Sequence, residues 1–332
     1  MHQEKEGNRG LVLSFYIGRR TQFLKREKQE YLFDNPKGII PALVTPFTKS
    51  DDIDESALRW LARNAIEGGV HAVICSGSLG EFPCLTNEER QKVIKTVVDE
   101  TNGKVPVVAG VGSGSTKTAI ILAREAADIG VDAIEALPPF YFNIGDDAVL
   151  AHYEKLASSV NVPVIIYNFP GTTKVVMSPA LVAKLAEIPN IIGIKNSVDS
   201  LLHLKQIVRN TREVSKRKPF AVLCGIEDYL VSGLLLGAKG TVSGFSNFIP
   251  KILVQMYDYC VAGKVTEAAE LYNRIIAPLK DLAPPPEPVG ALKTGASLFG
   301  PVNTAIRLPL LDPPKDTAIK MKAILQQEGL LS

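Results

Sequence analysis

From Gly38 onward, short β-branched runs alternate with amphipathic stretches eight times without a break, and few architectures accept that pattern. The runs are Gly38–Val44, Ala72–Cys75, Val105–Ala109, Ala133–Ala136, Val164–Tyr167, Ile191–Lys195, Ala221–Gly225 and Gly240–Ser243. Between them lie segments with helical spacing, among them Asp54–Glu67, Thr86–Glu100 and Thr116–Ile129. Asp54 before Glu55, and Thr86 before Glu88 and Glu89, are helix-start signals. Gly69-Val70, Gly130-Val131 and Gly237-Ala238 end helices, the glycine supplying a left-handed cap. The runs are almost continuously apolar, as strands buried on both faces should be. A doubly wound sheet can alternate in this way too, but eight uninterrupted units over about 210 residues fit a (β/α)8 barrel better. The fold class expected is therefore α/β, a (β/α)8 TIM barrel over 38–248, followed by a C-terminal helical subdomain over 249–332.

After Phe248 only helical patterns remain. Lys251–Ala262 and Thr266–Leu282 read as helices, and Ala283-Pro284-Pro285-Pro286-Glu287-Pro288 interrupts them as a stiff linker rather than a displayed SH3 ligand. Two more helices are expected around Leu308-Pro309-Leu310-Leu311-Asp312-Pro313-Pro314. Residues 1–37 differ from the rest. Arg19-Arg20, Lys25-Arg26 and Lys28 alternate with Glu27, Glu30 and Asp34 after an apolar patch from Leu11 to Ile17, and neither the charge order nor the small-residue cleavage site of a secretory signal is clear. A helical N-terminal extension is the better reading, with an organellar leader as the alternative.

A net charge of +2 from well-mixed signs leaves no basic face for nucleic acid, and no apolar stretch approaches the roughly 18 residues that cross a bilayer. Cys75, Cys84, Cys224 and Cys260 match no zinc or disulfide spacing, which points to a reducing, cytoplasmic compartment. His2, His71, His152 and His203 have no ligand-spaced partners, so no metal centre is expected.

In a parallel barrel the strand C-termini face the active site. There Lys195 ends the run Ile191-Ile192-Gly193-Ile194-Lys195. Taken alone it could be a lysine that snorkels to solvent. In a buried setting, poor solvation would lower its pKa and leave an amine able to attack a carbonyl. Strand 2 ends in Ser76-Gly77-Ser78-Leu79-Gly80-Glu81, which either shapes a loop or forms an anion-binding nest. Tyr167 ends strand 5, either as a rim residue or as a proton relay to a carbinolamine. An amine on strand 6, a phenol on strand 5 and a Gly-rich turn on strand 2 together describe a Schiff-base site. Gly110-Val111-Gly112-Ser113-Gly114-Ser115 is a near miss to a dinucleotide fingerprint and lacks its third glycine, which weighs against an oxidoreductase.

With Gly38-Ile39-Ile40-Pro41-Ala42-Leu43-Val44-Thr45-Pro46-Phe47 and Arg307-Leu308-Pro309-Leu310, these motifs resemble the dihydrodipicolinate synthase / N-acetylneuraminate lyase family of pyruvate-dependent aldolases, from Gly38 to about Leu330. The resemblance implies that Lys195 condenses with the keto group of pyruvate and that Tyr167 relays protons. It implies that Ser78 and the Leu79 N–H hold the pyruvate carboxylate, and that Gly225 and Val242 surround the keto acid. Tyr141 matches a tyrosine lent to a neighbouring subunit's site, so a homotetramer built from dimers is implied. No metal or organic cofactor is implied, since the lysine–pyruvate imine is the electron sink.

Two departures stand out. Leu79 replaces a hydroxyl residue of the family's relay. Thr172 stands where the true dihydrodipicolinate synthases carry an arginine for the carboxylate of aspartate semialdehyde, and a threonine cannot reproduce that bidentate fork. The expectation is accordingly a lyase for 2-oxo-4-hydroxy acids, of the 2-keto-3-deoxygluconate or 4-hydroxy-2-oxoglutarate type. Thr172, Thr173, Ser197, Glu227, Asp228 and Ser243 would offer hydrogen bonds to its hydroxylated tail. The alternatives are 4-hydroxy-tetrahydrodipicolinate synthesis and a catalytically silent keto-acid binder.

Overall fold

The computed structural model describes residues 36–284 and 288–332. The N-terminal segment read above as an extension or leader, and the middle of the proline linker, lie outside them. The eight strands are β1 (Gly38–Pro41), β2 (Val73–Cys75), β3 (Val107–Gly110), β4 (Ala133–Ala136), β5 (Val164–Asn168), β6 (Ile191–Asn196), β7 (Ala221–Cys224) and β8 (Gly240–Ser243). All pair in parallel in the order β1-β8-β7-β6-β5-β4-β3-β2. The cylinder closes where Ala42 bridges Ile74 and the Leu43 N–H donates to the Ile74 carbonyl at 2.8 Å. β1 stops at Pro41, short of the run to Val44, because the Val44 N–H is taken by the Asn247 side chain at 3.1 Å instead of by a strand.

Helices α1 (Glu55–Glu67), α2 (Asn87–Thr101), α3 (Thr116–Ile129), α4 (Asp146–Ala157), α5 (Pro179–Ala186), α6 (Leu201–Arg217) and α7 (Leu230–Leu236) cover the outside. Thr86 and Glu89 form a reciprocal capping box at the start of α2. Gly69, Gly130 and Gly237 all have positive φ, the conformation assigned to them as helix stops.

Two apolar layers result. Ile40, Ala42, Ala72, Ile74, Val108, Ala133, Ile165, Ile192, Leu223 and Val242 fill the barrel, while the outward strand residues pack against the helices. After β8 come α8 (Pro250–Val261), α9 (Val265–Leu271) running through a π turn to Asp281, α10 (Val289–Ser297) and α11 (Thr317–Gln327). Ile275, Leu279, Ala291, Met321 and Leu325 from these helices join the same outer core as the barrel residues. Among the described residues no helix is long and apolar enough to cross a membrane.

Candidate active site

Strict alternation would put Ile192 and Lys195, three residues apart, on opposite faces of β6. A bulge removes the conflict: Val164 pairs with Ile191, but Ile165 already pairs with Gly193. Ile192 therefore fills the barrel and Lys195 still reaches the interior beside its register partner Tyr167. The lysine is 4% exposed. Its Nζ lies 3.7 Å from the centre of the Tyr167 ring and 3.5 Å from Glu135 Oε1.

Glu135 was not among the residues expected from sequence, although it is an acid inside the apolar run Ala133-Ile134-Glu135-Ala136. It is buried two residues beyond inward-facing Ala133 on β4, and its Oε2 has no hydrogen-bond partner. This changes the electrostatics anticipated for Lys195. Burial, the largest single influence, does pull its pKa down, but the Glu135 charge and then Tyr167 together outweigh it. The ammonium ends above its ordinary value. Burial likewise pushes the Glu135 carboxyl up, against the opposing pull of Lys195. The site thus sets a lysine favoured as the ammonium 3.5 Å from a buried carboxyl group whose ionisation burial opposes and the lysine supports.

A narrow cavity adjoins Glu135 and Tyr167, the two partners of Lys195, and is walled with them by Ser76, Gly77, Ser78, Phe82, Gly110, Gly112 and Leu137. Ser78, expected as a carboxylate ligand, thus lines the same cavity as Glu135 and Tyr167. The Ser78 and Leu79 N–H groups donate to no acceptor among the described residues, so both are open to an anion. The Leu79 side chain packs against the inner barrel cluster. Arg90, a second residue not anticipated, is buried on α2. It donates to Ser76 Oγ (3.2 Å), Gly110 O (2.8 Å) and Gly112 O (3.1 Å), tying the ends of β2 and β3 around the cavity.

The remaining expected residues divide. Val242 lies in the inner cluster. Gly225 N–H donates to Asn196 O, and Ser197 Oγ donates to Gly225 O at 3.3 Å, linking the ends of β6 and β7. Ser243 is fully buried and its Oγ accepts from the Ser246 N–H. Glu227 accepts from the Gly244 N–H at 2.6 Å, while Asp228 pairs with Lys280 and Tyr272 on the helical side. These polar groups are largely committed within the protein. Thr172 is exposed, its hydroxyl donating to Phe169 O at 3.2 Å, and the neighbouring Thr173 is buried on the same carbonyl. Tyr141 stands 90% exposed with φ +89°, edge-on to exposed Phe142 and outside the cavity wall of its own chain.

The model of the dihydrodipicolinate synthetase family matches residues 35–328. A 4-hydroxy-tetrahydrodipicolinate synthase of Methanopyrus kandleri is 35% identical over 299 residues, covering 89% of this chain and 97% of its own. Among solved structures, a prophage protein of the dihydrodipicolinic acid synthase family from E. coli K12, in complex with pyruvate, superposes with TM-score 0.83 and 33% identity. The match covers 89% of this chain and 99% of that one. A monomeric dihydrodipicolinate synthase variant superposes with TM-score 0.85 and 27% identity, over 89% and 97% of the two chains.

Proposed function

Because the chain belongs to the dihydrodipicolinate synthetase family of pyruvate-dependent lyases, we propose that Lys195 forms an imine with pyruvate, which then gains or loses an aldehyde. The observation that carries this reading is the buried Lys195 ammonium set against Tyr167 and Glu135 at the rim of the cavity that also holds Ser78. The amine attacks the keto carbon, water leaves, and the iminium withdraws electrons so that the adjacent methyl loses a proton to give an enamine. The enamine attacks an aldehyde carbon, with a proton passing to the aldehyde oxygen through the Tyr167 hydroxyl. Cleavage is the reverse. Ser78 and the Ser78–Leu79 amides hold the pyruvate carboxylate. The sequence of steps needs neither metal nor organic cofactor.

For the aldehyde half, the curated relatives favour 4-hydroxy-tetrahydrodipicolinate synthesis over the sugar-acid cleavage expected from sequence. One observation supports the second reading: Thr172 offers a single hydroxyl, already turned onto Phe169 O, where a carboxylate-bearing aldehyde calls for a bidentate cation. Turnover with pyruvate and aspartate semialdehyde, glyceraldehyde, glyoxylate or N-acetylmannosamine separates the two. Aspartate semialdehyde alone would assign the synthase; cleavage of 2-keto-3-deoxy acids without it would assign the lyase. The exposed Tyr141–Phe142 pair suits a subunit contact that lends Tyr141 to a second site, and a homotetramer is the assembly it supports. Sedimentation of the purified chain tests that, with a monomer at catalytic concentrations as the opposing result.

A further inference from the structure

A carboxylate buried against the nucleophile has to be accounted for, since an isolated buried charge costs several kcal/mol. Glu135 occupies an inward position of β4, between the barrel's apolar filling and the cavity. One oxygen meets the Lys195 ammonium at 3.5 Å, the other is buried without a hydrogen-bond partner, and the residue lines the cavity together with Gly77. The titratable groups facing it are Lys195 from β6, Tyr167 from β5 and Tyr153 from α4. Tyr153 is engaged elsewhere, donating to Ala136 O at 2.7 Å. Tyr167 meets Nζ with its ring face at 3.7 Å, and its side-chain hydrogen bond supports the ammonium rather than drawing a proton from it. Leu79 has no proton to pass. Among the described residues, Glu135 is the carboxylate within ion-pair distance of Nζ.

Building on the Schiff-base reading, we propose that Glu135 is the catalytic acid–base group of imine formation. It takes a proton from the Lys195 ammonium, freeing the lone pair that forms the Nζ–C2 bond to pyruvate. An ammonium proton left on the nitrogen passes to the new alkoxide, giving a neutral carbinolamine. The Glu135 carboxylic acid then protonates the carbinolamine hydroxyl, the C2–O bond breaks, water leaves, and the nitrogen lone pair closes the C=N bond. Glu135 ends as the carboxylate it began as, now paired with the iminium. Its surroundings favour both of its states in turn: burial favours the neutral acid while the amine is neutral, and the adjacent positive nitrogen favours the anion once it carries charge. Tyr167 is left to serve the aldehyde oxygen.

The test is the rate of pyruvate adduct formation on Lys195, trapped with borohydride and read by mass, from about pH 6 to about pH 10. Wild-type, Glu135→Gln and Glu135→Asp proteins are compared, with thermal melts to confirm folding. Wild-type should trap with little pH dependence. Glu135→Gln should trap about 100-fold more slowly at neutral pH, with a rate that climbs with pH as hydroxide takes over the deprotonation; Glu135→Asp should fall between. A residue that merely positions Lys195 would lower the rate without adding that slope. Trapping by Glu135→Gln at the wild-type rate and pH dependence overturns the proposal. If Glu135→Gln does not fold, an undiminished Glu135→Asp rate overturns it equally. No adduct on Lys195 in the wild-type protein is a different failure, that of the Schiff-base reading itself.

Discussion

Lys195 and Glu135 each favour the other's charged form, against the burial that both share in the barrel interior. Removing the lysine exposes that dependence as a pH effect on stability. In Lys195→Met the attraction that lowered the Glu135 pKa is gone, and burial acts on the carboxyl unopposed. Its folded pKa then lies further above the ordinary 4.5 than in the wild type. Between those two values the folded protein keeps a proton that the unfolded chain has released, so stability declines as pH rises through the window. Urea unfolding should therefore show Lys195→Met close to wild-type near pH 4.5 and progressively weaker toward neutrality. Adding Glu135→Gln should abolish the trend. A Lys195→Met curve parallel to the wild type at every pH would mean that the carboxyl is solvated after all. The same variant should give no borohydride adduct.

The element that delivers Lys195 to this partner is the bulge in β6, and Gly193 is its hinge. A Cβ built on Gly193 comes within 2.7 Å of the Ala221 carbonyl oxygen on β7, a backbone atom that cannot rotate away. Gly193→Ala should cost about 1–3 kcal/mol as overpacking. It should also slow pyruvate trapping, because relief of the clash shifts the strand that aims Nζ at Glu135. Urea melts and trapping rates measure the two effects, and an unchanged trapping rate would separate the bulge from nucleophile placement. Much at this scale was legible beforehand: alternation gave the eight strands, glycines with positive φ ended the helices, and strand ends located Lys195, Tyr167 and Ser78. The bulge was not legible, since an Ile-Ile-Gly-Ile run does not record which pairing skips a residue. Glu135 escaped for a related reason. Its strand was recognised from its apolar neighbours, and only the register that sets Glu135 toward the interior turns an odd acid into a partner for Lys195. Ser243, Ser197 and Glu227 were expected to offer hydrogen bonds to substrate; their bonds to Ser246, Gly225 and Gly244 show that such groups also brace the loops at the strand ends.

Across the whole molecule, the chain after β8 reaches back to hold the loop that follows β2. Lys293 of α10 is fully buried and pairs with Glu81 at 2.5 Å, and the other Glu81 oxygen accepts the Arg307 N–H at 3.0 Å. The Arg307 guanidinium then forks onto both oxygens of Glu89, at 2.7 Å each, reaches Asp51 and the Cys84 carbonyl, and lies 4.3 Å from the Phe47 ring. Glu81 sits one residue beyond Gly80, in a left-handed conformation that a non-glycine residue adopts only when its surroundings enforce it. The clamp therefore sets the shape of the turn carrying Ser78 and the Leu79 amide, whereas Lys195, Tyr167 and Glu135 stand on strands it does not touch. Arg307→Lys keeps the charge but loses the planar fork, so it cannot serve Glu89 and Asp51 together. The expected result is a KM for pyruvate raised several-fold with kcat within about twofold of wild-type, since carboxylate binding weakens while the proton-transfer groups stay in place. Arg307→Ala should extend the KM effect and lower stability by about 1–3 kcal/mol through the carboxylates left without their partner. Steady-state kinetics with pyruvate varied at saturating aldehyde, alongside urea melts, read both. A lowered melt with an unchanged KM would confine the clamp to holding the fold, whereas a KM change in Arg307→Lys at unaltered stability would place the C-terminal segment in control of pyruvate binding.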